Sequence, residues 1–379
     1  MSRKTAAIGE GLVVFLVAFA IRVVGAAITT VTTLNPDSTA DAVGFARAAE
    51  TIAAGLMRGG LVAPGQGYIY DLWGAFLAPF WLLPGPSGFY ARLGNAFLGA
   101  IAVYNVYCIA RAYHSRQAGV LAALPLLLYP SVVAIHSTVL RETIVLFAIT
   151  TATRLLIVQR RRLPVLSTYT VVAALLYIAY IMRPENAVIY AVAIGTGLLV
   201  HGTERSSPTV WPALVTAGIT VIGVAIVTGF VREGIDYLAR IRNIRAGGRT
   251  VYLPEVIPQT LIELLAFSWV GAAYFLYAPF PWMIETIPDL LVGMEGIISI
   301  GFTLASPWGI RSMAKQNRPA TVGLLVGLLL GIVLYGVGTV NYGTGMRHRQ
   351  MFIWVIFIFG AVGITEHVRF VWGSRRYFD

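Results

Sequence analysis

The chain has 379 residues, 57% of them hydrophobic and only 12% charged. That balance excludes an ordinary soluble protein, because apolar stretches of membrane-crossing length recur from one end to the other. The net charge of +11 does not point to nucleic acid, since Lys and Arg fall mostly in short connections between apolar runs, where they orient a membrane protein. The single cysteine, Cys108, excludes an internal disulfide and a cysteine-rich metal site.

The first apolar run, about 11–33, follows Ser2-Arg3-Lys4 and has no clean small-residue cleavage site. It reads as a retained span with its N-terminus in the cytoplasm. Arg22 lies mid-span, where a charge costs roughly 2.5–3.5 kcal/mol and has to face the bundle interior or a wet cavity. A polar stretch, 35–60, comes next and carries Asp37 and Asp41. From Asp41 onward, Phe45, Ala48, Ala49, Ile52, Ala53 and Leu56 recur at helical spacing. This predicts a helix along the membrane surface, with a carboxylate at the end the dipole favours. Residues 68–83 are apolar but short, contain Asp71 and Pro79, and close in Pro84-Gly85-Pro86. They predict a re-entrant or interfacial helix, so that 34–88 forms one long external loop.

Further spans are expected at about 90–110, 118–134 and 143–158, then at about 168–182, 186–200 and 211–231. The basic groups Arg111, His114, Arg116 and Arg160-Arg161-Arg162 then lie inside. The His136 to Glu142 connection and the Arg183-Pro184-Glu185 turn lie outside. A second external or interfacial segment, 232–284, holds Arg240, Arg242, Arg245 and Arg249. Its 261–282 part, with Glu263 and a terminal Trp282, reads as an interfacial hairpin or a broken span. Spans at about 287–304, 321–340 and 351–371 complete the chain, with Arg311, Lys315 and Arg318 inside and 341–350 outside. The expectation is a single all-α polytopic membrane domain over 1–379, with about ten transmembrane helices, external interfacial helices and both termini cytoplasmic. Arg347-His348-Arg349 then falls outside, at a span boundary. Orientation does not explain these cations, whereas an outer-leaflet lipid phosphate does.

External carboxylates facing arginines and a histidine at a membrane surface are what sugar transfer from a lipid phosphate requires. A carboxylate takes the acceptor proton or stabilises an oxocarbenium-like centre, and cations hold the leaving phosphate. No nucleotide-binding loop, HExxH or Cys/His cluster is present in the sequence. Structural readings stand beside these. Asp37 and Asp41 are also favoured helix caps. Arg141 with Glu142 and Arg183 with Glu185 are also local ion pairs. Arg347-His348-Arg349 and the 240–249 arginines also suit lipid headgroups, and Trp282 an aromatic anchor.

Asp41-Ala42-Val43-Gly44-Phe45, continuing to Ala49, Ile52 and Gly55, resembles the D-x-x-x-[YF] start of the first external loop in the GT-C superfamily of polytopic glycosyltransferases. The nearer comparison is with its protein O-mannosyltransferase and aminoarabinose-transferase branch. YARLGN at 90–95, CIARAYHSRQAGV at 108–120, LLYP at 127–130, LRET at 140–143 and MRHRQMF at 346–352 keep the family's order. The resemblance implies Asp41 as catalytic base and Glu142 as a second acid on the same cavity. Many relatives carry two adjacent acids where this chain has Ala42 after Asp41, and Asp37 is the candidate replacement. Arg347 and Arg349 match the cationic end near the lipid phosphate, with His348, Arg141 and Arg183 completing the donor-phosphate set. The implied donor is a polyprenyl-phosphate sugar, the acceptor a hydroxyl of a lipid, glycan or protein, with no obligatory metal or cofactor. The alternatives are transfer of a whole glycan from a lipid diphosphate, a transporter or flippase, and a non-catalytic scaffold. Against a transporter, no two-half repeat is visible, and charges within spans are few beyond Arg22 and Glu295.

Overall fold

The computed structural model describes residues 3–32, 39–60, 62–159, 164–205 and 230–368, and every regular element among them is helical. In chain order these are α1 (Arg3–Val31), α2 (Thr39–Met57), α3 (Tyr68–Trp81), α4 (Ser87–Tyr113), α5 (Arg116–Leu128) and α6 (Pro130–His136). There follow α7 (Glu142–Arg154), running on through a π-helical turn at Leu155–Gln159, then α8 (Val165–Met182) and α9 (Pro184–Arg205). The remainder comprises α10 (Phe230–Arg245), α11 (Leu261–Tyr277), α12 (Ile287–Gly338) and α13 (Tyr342–His367). Asp37, all but the last two residues of the expected span at 211–231, Arg160-Arg161-Arg162 and the end of the expected last span lie outside the described residues.

Local chemistry sets the helix ends. Ser115 caps α5 through the Ala118 amide, and Thr260 caps α11 through that of Glu263. Thr286 and Asp289 form a capping box at the start of α12. Pro130 has no amide hydrogen and holds Tyr129 extended at φ −61°, ψ 119°, so α5 and α6 meet at 69°. The expected span at 118–134 is therefore a bent pair.

Among the described residues, five helices are long and apolar enough to cross a membrane, or six if that bent pair counts as one. This fits a polytopic membrane protein but falls short of the ten spans expected. Three causes account for the difference. The helices α7 and α8, on two of the expected spans, are shorter than a span of about 20 residues. The expected spans at 287–304 and 321–340 lie in one 52-residue element, whose interior departs from helical geometry at Asn317. The remaining expected span falls on 211–231. Residues 261–277 form one continuous helix rather than a hairpin.

The centre of the bundle is α13, with 83% of its apolar window buried against 22% for α1 at the periphery. Close packing of α12 on α13 puts it there. A Cβ on Gly309 would collide with the Phe359 carbonyl, one on Gly360 with that of Phe302, and one on Gly363 with that of Ala305. Small residues thus let two apolar helices approach backbone to backbone. The polar loop after α1 holds the predicted helix, α2, which is folded against α3 as a hairpin. Gly74 seats on Ala48, and Trp73 Nε1 donates to the Val139 carbonyl at 2.7 Å, tying the hairpin to the chain before α7.

Candidate active site

The arginine-rich stretch expected as an external segment at 341–350 is the beginning of α13. Asn341 caps that helix by accepting from the Gly343 and Thr344 amides, so helical geometry starts at Tyr342. Hydropathy reads the stretch as a loop because it cannot see that each charge has a buried partner. Successive side chains turn by about 100°, and four consecutive residues face four directions. Arg347 reaches α2 and α7, His348 packs on the Tyr335 ring at 5.0 Å between centroids, Arg349 meets Glu295, and Gln350 meets His136.

Arg347 is the hub. Its Nη1 donates to Asp41 Oδ2 at 2.8 Å and its Nη2 to Glu142 Oε1 at 3.0 Å. Arg183 Nη2 donates to the same Glu142 oxygen, and its Nη1 lies 3.5 Å from Glu185. Tyr70 donates its hydroxyl to Asp41 Oδ1 at 2.7 Å. The structure thus joins Asp41, Glu142, Arg183 and Arg347, residues up to 306 positions apart, in one network. Arg141 adjoins it and donates to the Met182 carbonyl at 2.7 Å.

Glu142 is fully buried at the first turn of α7, where the helix dipole favours its charge. Burial pushes its carboxyl up, but Arg347, Arg183 and Arg141 outweigh this and hold it at about 2. Burial also raises the Asp41 carboxyl, and the Tyr70 and Arg347 hydrogen bonds outweigh it, leaving the group below its ordinary range. Arg141 is brought down to about 10, chiefly by burial and then by Arg183. Glu142 Oε2, Thr143 Oγ1, Arg141 Nε and Arg183 Nε have no hydrogen-bond partner among the described residues. Such atoms are rare in a folded interior unless something polar completes them, and Glu142 and Arg183 belong to the network while Arg141 adjoins it.

The chain at 137–141 that presents Arg141 and Glu142 is irregular, and side chains from three helices bind its carbonyls. Asn95 Nδ2 donates to Thr138 and Leu140, Trp73 to Val139 and Thr29 to Ser137. On the other side, Arg22 donates Nε to His136 Nδ1 at 3.1 Å and Nη2 to the Leu126 carbonyl. That bond leaves the proton of a neutral His136 on Nε2, 2.9 Å from Gln350 Oε1, and Gln350 in turn donates to the Arg347 carbonyl. Arg22 therefore faces the bundle interior, as expected.

The remaining predicted residues lie elsewhere. Arg349 is joined to Glu295 at 3.0 Å and to the Leu276 and Ala278 carbonyls, while Ser131 satisfies Glu295 through its amide and hydroxyl. This is a closed, buried ion pair, and it does not reach Asp41. Arg242 is buried on the Val337 and Leu253 carbonyls and over the Phe267 ring, and Arg249 is bidentate to Asp289. Arg242 thus ties the 232–284 segment to the end of α12 from a buried position, whereas Arg249, half exposed, ties it to the start of α12. Tyr70 carries no motif and escapes a reading of the sequence, since nothing in the spacing places it beside Asp41.

No family model matches the chain, and no curated protein matches it.

Proposed function

We propose that the protein is an integral membrane glycosyltransferase of GT-C type, moving a sugar from a polyprenyl-phosphate donor to a hydroxyl of a lipid, glycan or protein acceptor. The observation that carries this reading is the accessible carboxylate of Asp41, with a hydroxyl on one oxygen and Arg347 on the other. The acceptor O–H gives its proton to Asp41 as its oxygen forms the bond to the anomeric carbon. The bond from that carbon to the phosphate oxygen breaks, and the electron pair leaves with the phosphate. Asp41 loses a negative charge in the step in which the phosphate gains one, so Arg347 passes from one anion to the other without net change at the cluster. A single displacement inverts the anomeric configuration. Glu142 and Arg183 hold Arg347 in place, and Arg141 lies beside them as a second cation for the phosphate. Arg349 takes no part. An apolar cleft of about 260 Å³, lined by Trp73, Phe80, Phe97, Asn95 and, on α7, Ile144, suits an apolar chain. In this reading the short apolar helices and residues 211–231 complete about ten spans, both termini are cytoplasmic and the site faces outward.

A second reading, transfer from a lipid diphosphate, is favoured by the three guanidinium groups around Glu142. Incubating the purified protein with labelled polyprenyl-phosphate and polyprenyl-diphosphate sugars separates the two. Wild type releases polyprenyl phosphate, and Asp41→Asn loses about 10²–10⁴ of the rate while remaining monodisperse. Equal activity in the variant reduces Asp41 to a helix-start residue. Turnover of diphosphate donors alone moves the assignment to the second reading.

A further inference from the structure

Tyr70 has no place in the reaction as written, yet its geometry is tightly built. The phenol stands on α3 and donates to Asp41 Oδ1 at 2.7 Å, opposite the 2.8 Å bond that Arg347 makes from α13. The ring crosses α2 at Gly44, where an added Cβ would lie 2.7 Å from Tyr70 Cε1. Phe45 flanks it at 5.0 Å between centroids. The chain entering α3 is fixed by the Gly65 and Gln66 amides, which both donate to Asp71, and by Gly67 at φ 115°, a conformation that favours glycine.

We propose that Tyr70 is a positioning residue for Asp41, its hydroxyl holding one carboxylate oxygen in the place an acceptor hydroxyl must take, so that the other stays on Arg347 until substrate arrives. The inference rests on the reading of Asp41 as the base. A phenol and an acceptor alcohol present the same O–H donor, and Asp41 Oδ1 is the oxygen not committed to the cation. The groups that set its ionisation are the Tyr70 phenol from α3, Arg347 from α13 and Glu142 from α7, with Arg141 acting on the phenol. Tyr70 and Arg347 favour the ionised carboxylate, whereas Glu142 opposes it. The phenol is raised in turn, first by its bond to Asp41.

A hydrophobic carbodiimide adds only to protonated carboxyls, so the extent of its addition at Asp41 across pH, read by peptide mass spectrometry, titrates this group without any turnover. The full chain in detergent is compared with Tyr70→Phe, which keeps the ring, and Gly44→Ala, which keeps the phenol but pushes it away. The labelling midpoint rises by about one pH unit in Tyr70→Phe, the worth of one hydrogen bond to a charged group. It rises in the same direction in Gly44→Ala, and the acid limb of the sugar-transfer rate moves with it. A Tyr70→Phe midpoint that overlays wild type in monodisperse protein overturns the proposal. A midpoint that moves as expected in a protein that turns over no donor sinks the base reading and leaves the clamp on Asp41 standing.

Discussion

Removing Glu295 separates a structural arginine from a working one. Glu295 accepts from Arg349 at 3.0 Å, from the Ser131 amide at 2.8 Å and from its hydroxyl. Glu295→Ala leaves the Arg349 guanidinium buried with only the Leu276 and Ala278 carbonyls and orphans both Ser131 donors. Breaking a buried pair on one side costs about 3–5 kcal/mol. At 1.4 kcal/mol per decade, this lowers the folded-to-unfolded ratio by roughly two to three and a half powers of ten. Replacing both partners with apolar residues of similar size, Glu295→Leu with Arg349→Met, buries no charge and recovers most of that loss. Unfolding midpoints in an SDS titration of the detergent-purified variants measure this, and the double variant closes the thermodynamic cycle. The reasoning fails if Arg349→Met alone keeps the wild-type midpoint and instead abolishes binding of polyprenyl phosphate. Arg349 is then a ligand residue.

Two further outcomes follow from the same contacts. Glu142 has its carboxyl depressed to about 2 in the fold, against an ordinary value of 4.5. A depressed carboxyl contributes stability that is complete above its unfolded value and is lost as pH falls through the folded one. The stability of wild type therefore drops by about 3 kcal/mol between pH 4.5 and 2, and this part of the acid transition is missing in Glu142→Gln. Gly363→Val drives a Cβ into the Ala305 carbonyl and forces α12 off α13, whereas Gly301 faces open space. The former loses about 1–3 kcal/mol or more by overpacking and Gly301→Ala loses none, measured as SDS midpoints side by side.

Helices whose pattern depends on local sequence were legible. Apolar periodicity after Asp41 marked α2, and the shortness of 68–83 marked α3 as something other than a span. The start of α13 was not, because Arg347, His348, Arg349 and Gln350 interrupt hydropathy without interrupting the helix. Arg347, Arg349 and Gln350 find their side-chain partners in Asp41, Glu142, Glu295 and His136, all distant in sequence. The sequence suggested Asp41, Glu142, Arg183 and Arg347 as site residues through motifs and loop positions, and the fold brings those four together. Arg349 differs from Arg347 by two positions, hence by about 200° around the helix. Whether such a pair shares a site depends on where the neighbouring helices stand, which no motif records. Tyr70 was invisible for the complementary reason. Its role comes from the hairpin packing that Gly44 permits.

Buried arginines are common in this protein, and their partners distinguish what each can do. Arg22 and Arg242 are held by carbonyls, a histidine and an aromatic ring, none of which a ligand could replace without opening the bundle. Arg349 has a carboxylate partner, but the Glu295 side chain is only 2% exposed. Arg347 and Arg183 each pair with the fully buried Glu142 and with a carboxylate that solvent reaches, but Arg183 stands 3.5 Å from Glu185 whereas Arg347 is 2.8 Å from Asp41, whose side chain is 32% exposed. An incoming anion can take the place of Asp41 on that guanidinium while Glu142 keeps it anchored. A charge held from behind and exchangeable in front is preorganised without being locked. Of the buried arginines, Arg347 is therefore the one best placed to exchange its carboxylate partner for an incoming anion, and the exchangeable side is the one that Asp41 occupies.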